Sequence, residues 1–190
     1  MPFAISLDQL TRDLNATEQS QLQQGDVVLA GNQGSYAVWG LIKAQFEVVW
    51  DVLTAYEDFP SFLPSVVSAR ILEQRDNRTI VERQDRRKVG GWMPIKVKIV
   101  TENIEVDGDR IDYRMLDGTL DSMLGSWRVI SVDNSSRHPQ TLLVQTIAAT
   151  ANMGPLQGYF YEVFEQGLQE TMADLRVEME RRAAYLAAPM

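Results

Sequence analysis

A chain of 190 residues with 45% hydrophobic and 23% charged residues has the size and make-up of one globular domain, large enough to fold around its own core. It contains no cysteine, which excludes disulfides, thiolate zinc sites and cysteine nucleophiles. A net charge of −8 argues against a nucleic-acid partner, which needs clustered cations. The start of the chain lacks a secretory pattern, and no stretch approaches the roughly 20 apolar residues of a membrane span. These features lead us to expect a soluble, cytoplasmic protein.

Residues 1–24 read as a helical appendage. In "NATEQSQLQQG", Asn15 is placed as an N-cap, Glu18 follows three residues later, and Gly25 ends the helix. Residues 26–43 read as extended chain containing the turn "GNQG", counted here as the first strand. Residues 45–56 then switch to helical spacing, with Phe46, Val49, Trp50 and Leu53 on one face. "EDFPSFLPSV" breaks that helix at Pro60 and Pro64.

From residue 65 to 150 six strands follow, separated by short turns such as "RDN", "VGG", "DGD" and "LDG". Short connections make neighbouring strands antiparallel. Ile95, Val97 and Ile99 alternate with Lys96 and Lys98, so one face is wet and the other covered. Residues 155–186 read as one helix of roughly 45 Å, with Phe160, Phe164, Leu168, Met172, Leu175 and Met179 in a stripe. The fold class is therefore α+β: a curved antiparallel sheet of seven strands, a short helical insert after the first strand, and a long C-terminal helix over the open face. Residues 25–186 form the ligand-binding domain in this reading.

"VWDVLTAYEDFPSFLPSV" after the first strand and "LGSWRVI" near the sixth resemble the START-like helix-grip superfamily over roughly residues 26–182. The branch they are most similar to comprises the polyketide cyclase/dehydrase and coenzyme-Q-binding START families. The resemblance implies a sheet gripping the helix around a cavity for lipids, quinones, sterols or polyketides. It implies no shared catalytic set and no general metal.

In an antiparallel meander the turns alternate between two ends. "DFPSFLP", "KVGGWMP", "LDGTLDSML" and "NMGPLQGYF" fall at one end and carry Phe59, Phe62, Leu63, Trp92, Met93, Leu120, Met123, Met153, Leu156 and Phe160. The other end has polar turns. Grouped apolar turns suggest a hydrophobic mouth, with Gly90 and Gly91 letting Trp92 swing; side chains that merely plug the core would give the same pattern.

Deeper ligand contacts are expected from Phe164, Leu168, Met172, Met115 and Trp127, with Tyr113, Gln145 and Thr171 as polar candidates. Tyr113 shares the parity of Ile111 and Met115. Its hydroxyl either holds a ligand carbonyl or bonds a backbone carbonyl as a core tyrosine does. His138, the single histidine, lies in a polar turn, so His-based metal sites and catalytic triads are excluded. No phosphate-loop spacing occurs, and no cofactor is called for.

The reading is non-enzymatic binding or transport of a hydrophobic small molecule, such as a lipid, isoprenoid quinone or polyketide-like compound. Transient membrane contact through the Trp92 loop and its basic neighbours is a further expectation. The alternative is an aromatase/cyclase-like enzyme acting on a polyketide-type substrate, with a positioned acid or base in the pocket, for example Tyr113 or a cavity-facing Glu82 or Arg83. A cavity lined with a shifted-pKa carboxylate or an Arg–Tyr pair favours the enzyme; an apolar cavity with one lone hydroxyl favours the carrier. A filled core would instead favour a protein-interaction role.

Overall fold

The computed structural model describes residues 5–89, 93–133, 139–154 and 157–187. The chain opens with a two-residue strand β1 (Ile5–Ser6), then helices α1 (Leu7–Leu10) and α2 (Ala16–Gln24). Helix α2 starts where its capping box predicts. The Asn15 side chain accepts from the Thr17 and Glu18 amides, and Glu18 accepts from the Asn15 amide. Gly25 ends it at φ 93°, a left-handed conformation that suits glycine.

Residues 26–43 give two strands, not one: β2 (Val28–Asn32) and β3 (Ser35–Ile42). Gln33 and Gly34 both have positive φ, 49° and 92°, and such a two-residue turn folds the chain back on itself. This hairpin and β1 account for the difference from the expected seven strands.

Helix α3 (Phe46–Thr54) buries Val48, Val49, Val52 and Leu53. A 3-10 turn at Tyr56–Asp58 leads into the short α4 (Phe59–Phe62). Pro60 ends nothing here; it stands in the first turn of α4, where a missing N–H costs no hydrogen bond.

Strands β4 (Val66–Arg75), β5 (Arg78–Val89), β6 (Met93–Val106), β7 (Arg110–Gly118), β8 (Ser122–Asp133) and β9 (Gln140–Thr150) form the predicted meander. The sheet order is β2-β3-β9-β8-β7-β6-β5-β4, with β1 parallel to β8. Helix α5 (Gln157–Ala187) has 31 residues, about 46 Å of rise.

The concave face carries Tyr36, Val38 and Ile42 from β3, Leu143 and Ile147 from β9, and Val129 from β8, packed with Leu168, Met172, Leu175 and Met179 of α5. Helix α5 comes closest over β3, where Gly40 has no side chain. The Met172 Sδ lies 2.8 Å from the place a Cβ would occupy there. On the opposite face Leu41, Leu142 and Val132 pack with Leu14, Leu22 and Val28 in a second core. Residues 7–24 thus cover the back of β2, β3, β9 and β8. Among the described residues no helix is long and apolar enough to cross a membrane.

Candidate functional site

Between α5 and the β5–β9 part of the sheet lies a cavity of about 420 Å³. Its apolar walls come from three sources. Strands supply Val81, Val97, Ile99, Ile111 and Ile147; the α3–α4 region supplies Leu53, Tyr56, Phe59 and Leu63; α5 supplies Phe160, Val163, Phe164, Leu168 and Leu175. Phe160 stacks on Phe164 with ring centres 5.6 Å apart, and Phe164 meets Tyr36 at 5.9 Å. The Tyr36 hydroxyl donates to Glu165 Oε1 at 2.6 Å. Burial and that carboxylate push its pKa up to about 12, so the phenol stays protonated and ties α5 to β3.

The cavity also has a polar stripe. Strand alternation that turns Val81 inward turns Arg83, Asp85 and Arg87 inward with it. Arg83 Nη2 donates to Asp85 Oδ2 at 3.0 Å, and Arg87 Nη2 lies 3.7 Å from the same oxygen. Arg87 reaches across to α5, with Nη1 3.4 Å from Glu170 and Nη2 3.5 Å from the Thr171 hydroxyl oxygen. Its side chain is only 16% exposed. Burial pulls the pKa of the guanidinium below its usual range, and Asp85 opposes that shift. Gly167, buried in α5, leaves the room: Arg87 Cζ lies 3.1 Å from where a Cβ would be.

Further along the floor Asn103, Tyr113 and Gln145 line the cavity. Tyr113 lies over its cross-strand partner Gly125, with its hydroxyl oxygen 2.5 Å from the Cβ position of that glycine. The hydroxyl donates to the Thr146 carbonyl oxygen at 3.1 Å and accepts from Gln145 Nε2 at 3.0 Å. Burial raises its pKa above the ordinary phenol value. Its proton is thus engaged by the backbone, the second of the two roles considered for it, and is not free for a ligand carbonyl.

Twelve of the expected ligand-contact residues line the cavity: Phe59, Leu63, Tyr113, Leu120, Met123 and Trp127, and then Gln145, Met153, Phe160, Phe164, Leu168 and Thr171. Three stand outside the lining. Met172 is fully buried against Gly40, because α5 presses on β3 there. Phe62 turns toward Phe59 and lies under the Arg182 guanidinium, 5.6 Å from Cζ to the ring centre. Met115 packs beside Gly118, next to an irregularity in the β6–β7 pairing. Trp92, Gly90, Gly91, Leu156 and His138 lie outside the described residues, as does the side chain of Met93.

Strand pairing keeps the four apolar turns at one end of the sheet, but their side chains meet different parts of α5. Leu120, Met123, Met153 and Phe160 gather near the start of α5, but Phe62 is held near its end by Arg182. The 22 positions from Phe160 to Arg182 span about 33 Å of helix rise. The α3–α4 region nevertheless lines the same cavity as Phe160, through Leu53, Tyr56, Phe59 and Leu63. Glu82 faces outward, paired with Arg70 and Lys98 at 2.8 Å each, and takes no part in the cavity.

Arg87 and Asp85 are the charged lining residues that sequence reasoning missed, and Tyr56 and Asn103 are polar ones. The first two are charged, yet they share the parity of Val81, which is the signal that could have found them.

A family model described as polyketide cyclase/dehydrase and lipid transport matches residues 42–176. No curated protein matches the chain by sequence. Solved structures share the fold at low identity. The Zhui aromatase/cyclase from Streptomyces sp. R1128 is 18% identical, with TM-score 0.65 over 80% of this chain and 97% of that one. A START superfamily protein from Mycobacterium smegmatis is 13% identical, with TM-score 0.56 over 83% and 100%. A STAR-related lipid transfer protein fragment from Xanthomonas axonopodis is 12% identical, with TM-score 0.57 over 80% and 98%. The helix-grip arrangement of sheet and C-terminal helix is common to them. The family model spans well over half of this sequence, and the protein belongs to the polyketide cyclase/dehydrase and lipid transport family.

Proposed function

We propose that the protein binds a hydrophobic small molecule bearing a polar group, held between the sheet and α5, and acts as its carrier. The observation that carries this reading is the cavity itself: about 420 Å³ of space with mostly apolar walls and one arginine stripe. Apolar burial at roughly 25 cal/mol per Å² supplies most of the affinity. Arg83 and Arg87 select a ligand with an anionic or carbonyl-bearing end, because a guanidinium donates and never accepts. Phe59, Leu63, Leu168 and Phe164 enclose the apolar body, and the opening lies by Met153 and Phe160.

The test is native mass spectrometry of protein purified from its own source, followed by solvent extraction. A stoichiometric adduct released as an apolar compound with an acidic or carbonyl group supports the reading. Extraction of only highly polar compounds would contradict it.

A second reading, cyclase-like catalysis on a polyketide-type substrate, is favoured by Arg83, Arg87 and Tyr113 on one cavity. There the arginines would stabilise an enolate during ring closure. Against it stands the engaged Tyr113 proton and the position of Asp85 between two arginines. Incubation with a synthetic poly-β-ketone thioester separates the two. Ring closure faster than the spontaneous rate, and lost in Arg87→Leu, would favour catalysis.

A further inference from the structure

We infer that Gln145 is the residue that selects a hydroxyl-bearing ligand, and that Tyr113 positions it. The inference rests on the cavity being a ligand site and specifies the chemistry that site takes.

The orientation of the Gln145 amide follows from the hydrogen bonds around Tyr113. The Thr146 carbonyl oxygen only accepts, so the Tyr113 hydroxyl must donate to it. The phenol oxygen then has only lone pairs to offer Gln145. An amide oxygen placed there would set two acceptors face to face, so the NH2 points at Tyr113 and Oε1 points away. Gly125 keeps this geometry open, since any side chain there would collide with the phenol hydroxyl.

Gln145 Oε1 is left buried with no hydrogen-bond partner, in a side chain that lines the cavity and is 6% exposed. Tyr56 Oη, also on the lining, is likewise buried without a partner. Asp85 Oδ1 has only an ill-aligned contact, with Arg83 Nε at 2.9 Å. Arg110 Nε is the remaining such atom among the described residues, so unmet polarity collects on the cavity lining. Buried polar atoms are ordinarily paired, and each exception needs a reason. As it stands Oε1 has almost no accessible surface, so the amide turns slightly toward the cavity to meet a ligand; a hydroxyl there satisfies Oε1, whereas a ketone or quinone oxygen does not. Arg83 and Arg87 supply donors on one wall and Gln145 an acceptor on another. A ring compound with a hydroxyl and a separate carbonyl or acid matches both.

The test uses two fluorescent probes of nearly equal shape, 1-hydroxypyrene and 1-methylpyrene, titrated into the full chain. The quantity read is the affinity for the hydroxyl probe relative to the methyl probe, which cancels their different solvation when variants are compared. In Gln145→Leu this ratio falls about tenfold, the worth of one hydrogen bond to a buried acceptor. In Tyr113→Phe the amide is free to turn, so the ratio also falls and binding of 1-acetylpyrene improves relative to 1-methylpyrene. Circular dichroism checks that each variant is folded, and the Tyr113 variant serves if the Gln145 variant is not. Probes that bind with a ratio unchanged in the folded variants would overturn the assignment while leaving cavity binding intact. Failure of both probes to bind the wild type would overturn the assignment and the carrier reading together.

Discussion

The guanidinium of Arg87 lies flat against Gly167 of α5, with its carbon 3.1 Å from the point a Cβ would fill. This contact ties a cavity wall to the long helix, and it explains a glycine in a helix interior, where it costs about 1 kcal/mol relative to alanine. Alanine at 167 recovers that propensity but crowds the guanidinium, so Gly167→Ala is expected within about 1 kcal/mol of wild type. Gly167→Leu must displace Arg87 and is expected to cost about 1–3 kcal/mol in urea unfolding. A leucine variant as stable as the alanine variant would show that Arg87 has other room.

Tyr113 and Gly125 form a second pair of this kind across β7 and β8. Gly125→Ala is expected to destabilise by about 1–3 kcal/mol, because the new methyl meets both the phenol hydroxyl and the Thr146 carbonyl. Combined with Tyr113→Phe, the cost is smaller than the sum of the two single changes, since one collision disappears with the hydroxyl. Thermal unfolding of the four proteins in this cycle measures the coupling; strict additivity would deny the contact.

Gln145→Leu separates stability from binding. The leucine leaves the Tyr113 bond to Thr146 in place and removes an unpaired buried amide oxygen. Its melting temperature is expected to equal or exceed that of the wild type, the pattern of a residue kept for function at the expense of stability. A large drop would make the amide a structural group.

Glu178 sits on α5 between Arg181 and Arg182, with bonds of 2.6 and 2.7 Å. Arg181 first, and Arg182 after it, hold its carboxyl down to about 2, well below the usual carboxylate range. A lowered folded-state pKa gives stability that is present above the unfolded value, roughly 4.3, and is lost as pH falls toward the folded value. Glu178→Gln is therefore expected to be less stable than wild type at pH 7. The gap should close as pH falls from about 4.5 toward 2. A gap that stays constant over that range would mean the ion pairs contribute nothing.

Much of this arrangement is legible in the residues. The six strands from 65 to 150 and the α5 stripe follow from alternation and turn residues, local signals that tertiary packing did not override. The hairpin at Gln33–Gly34 was harder to read: "GNQG" marks a turn, but nothing local says that each arm pairs separately. The apolar half of the cavity was visible because Phe59, Leu120, Met153 and Phe160 are unusual in turns. Of its polar half, Tyr113, Gln145, Thr171 and Arg83 were candidates, but Asp85 and Arg87 were not, because charged residues look like a wet strand face unless their parity is set against Val81. The place of Phe62 near the end of α5 was out of reach for a different reason. Strand direction gives the end at which a turn lies but not which part of a 46 Å helix crosses it.

The most direct measurement is titration of 1-hydroxypyrene into wild type and Val163→Phe, a change that puts a ring into the cavity from α5. The account predicts saturable one-to-one binding to the wild type. Binding to the folded variant should be at least tenfold weaker, about 1.4 kcal/mol. Equal binding to both proteins, or none that saturates in the wild type, would contradict it.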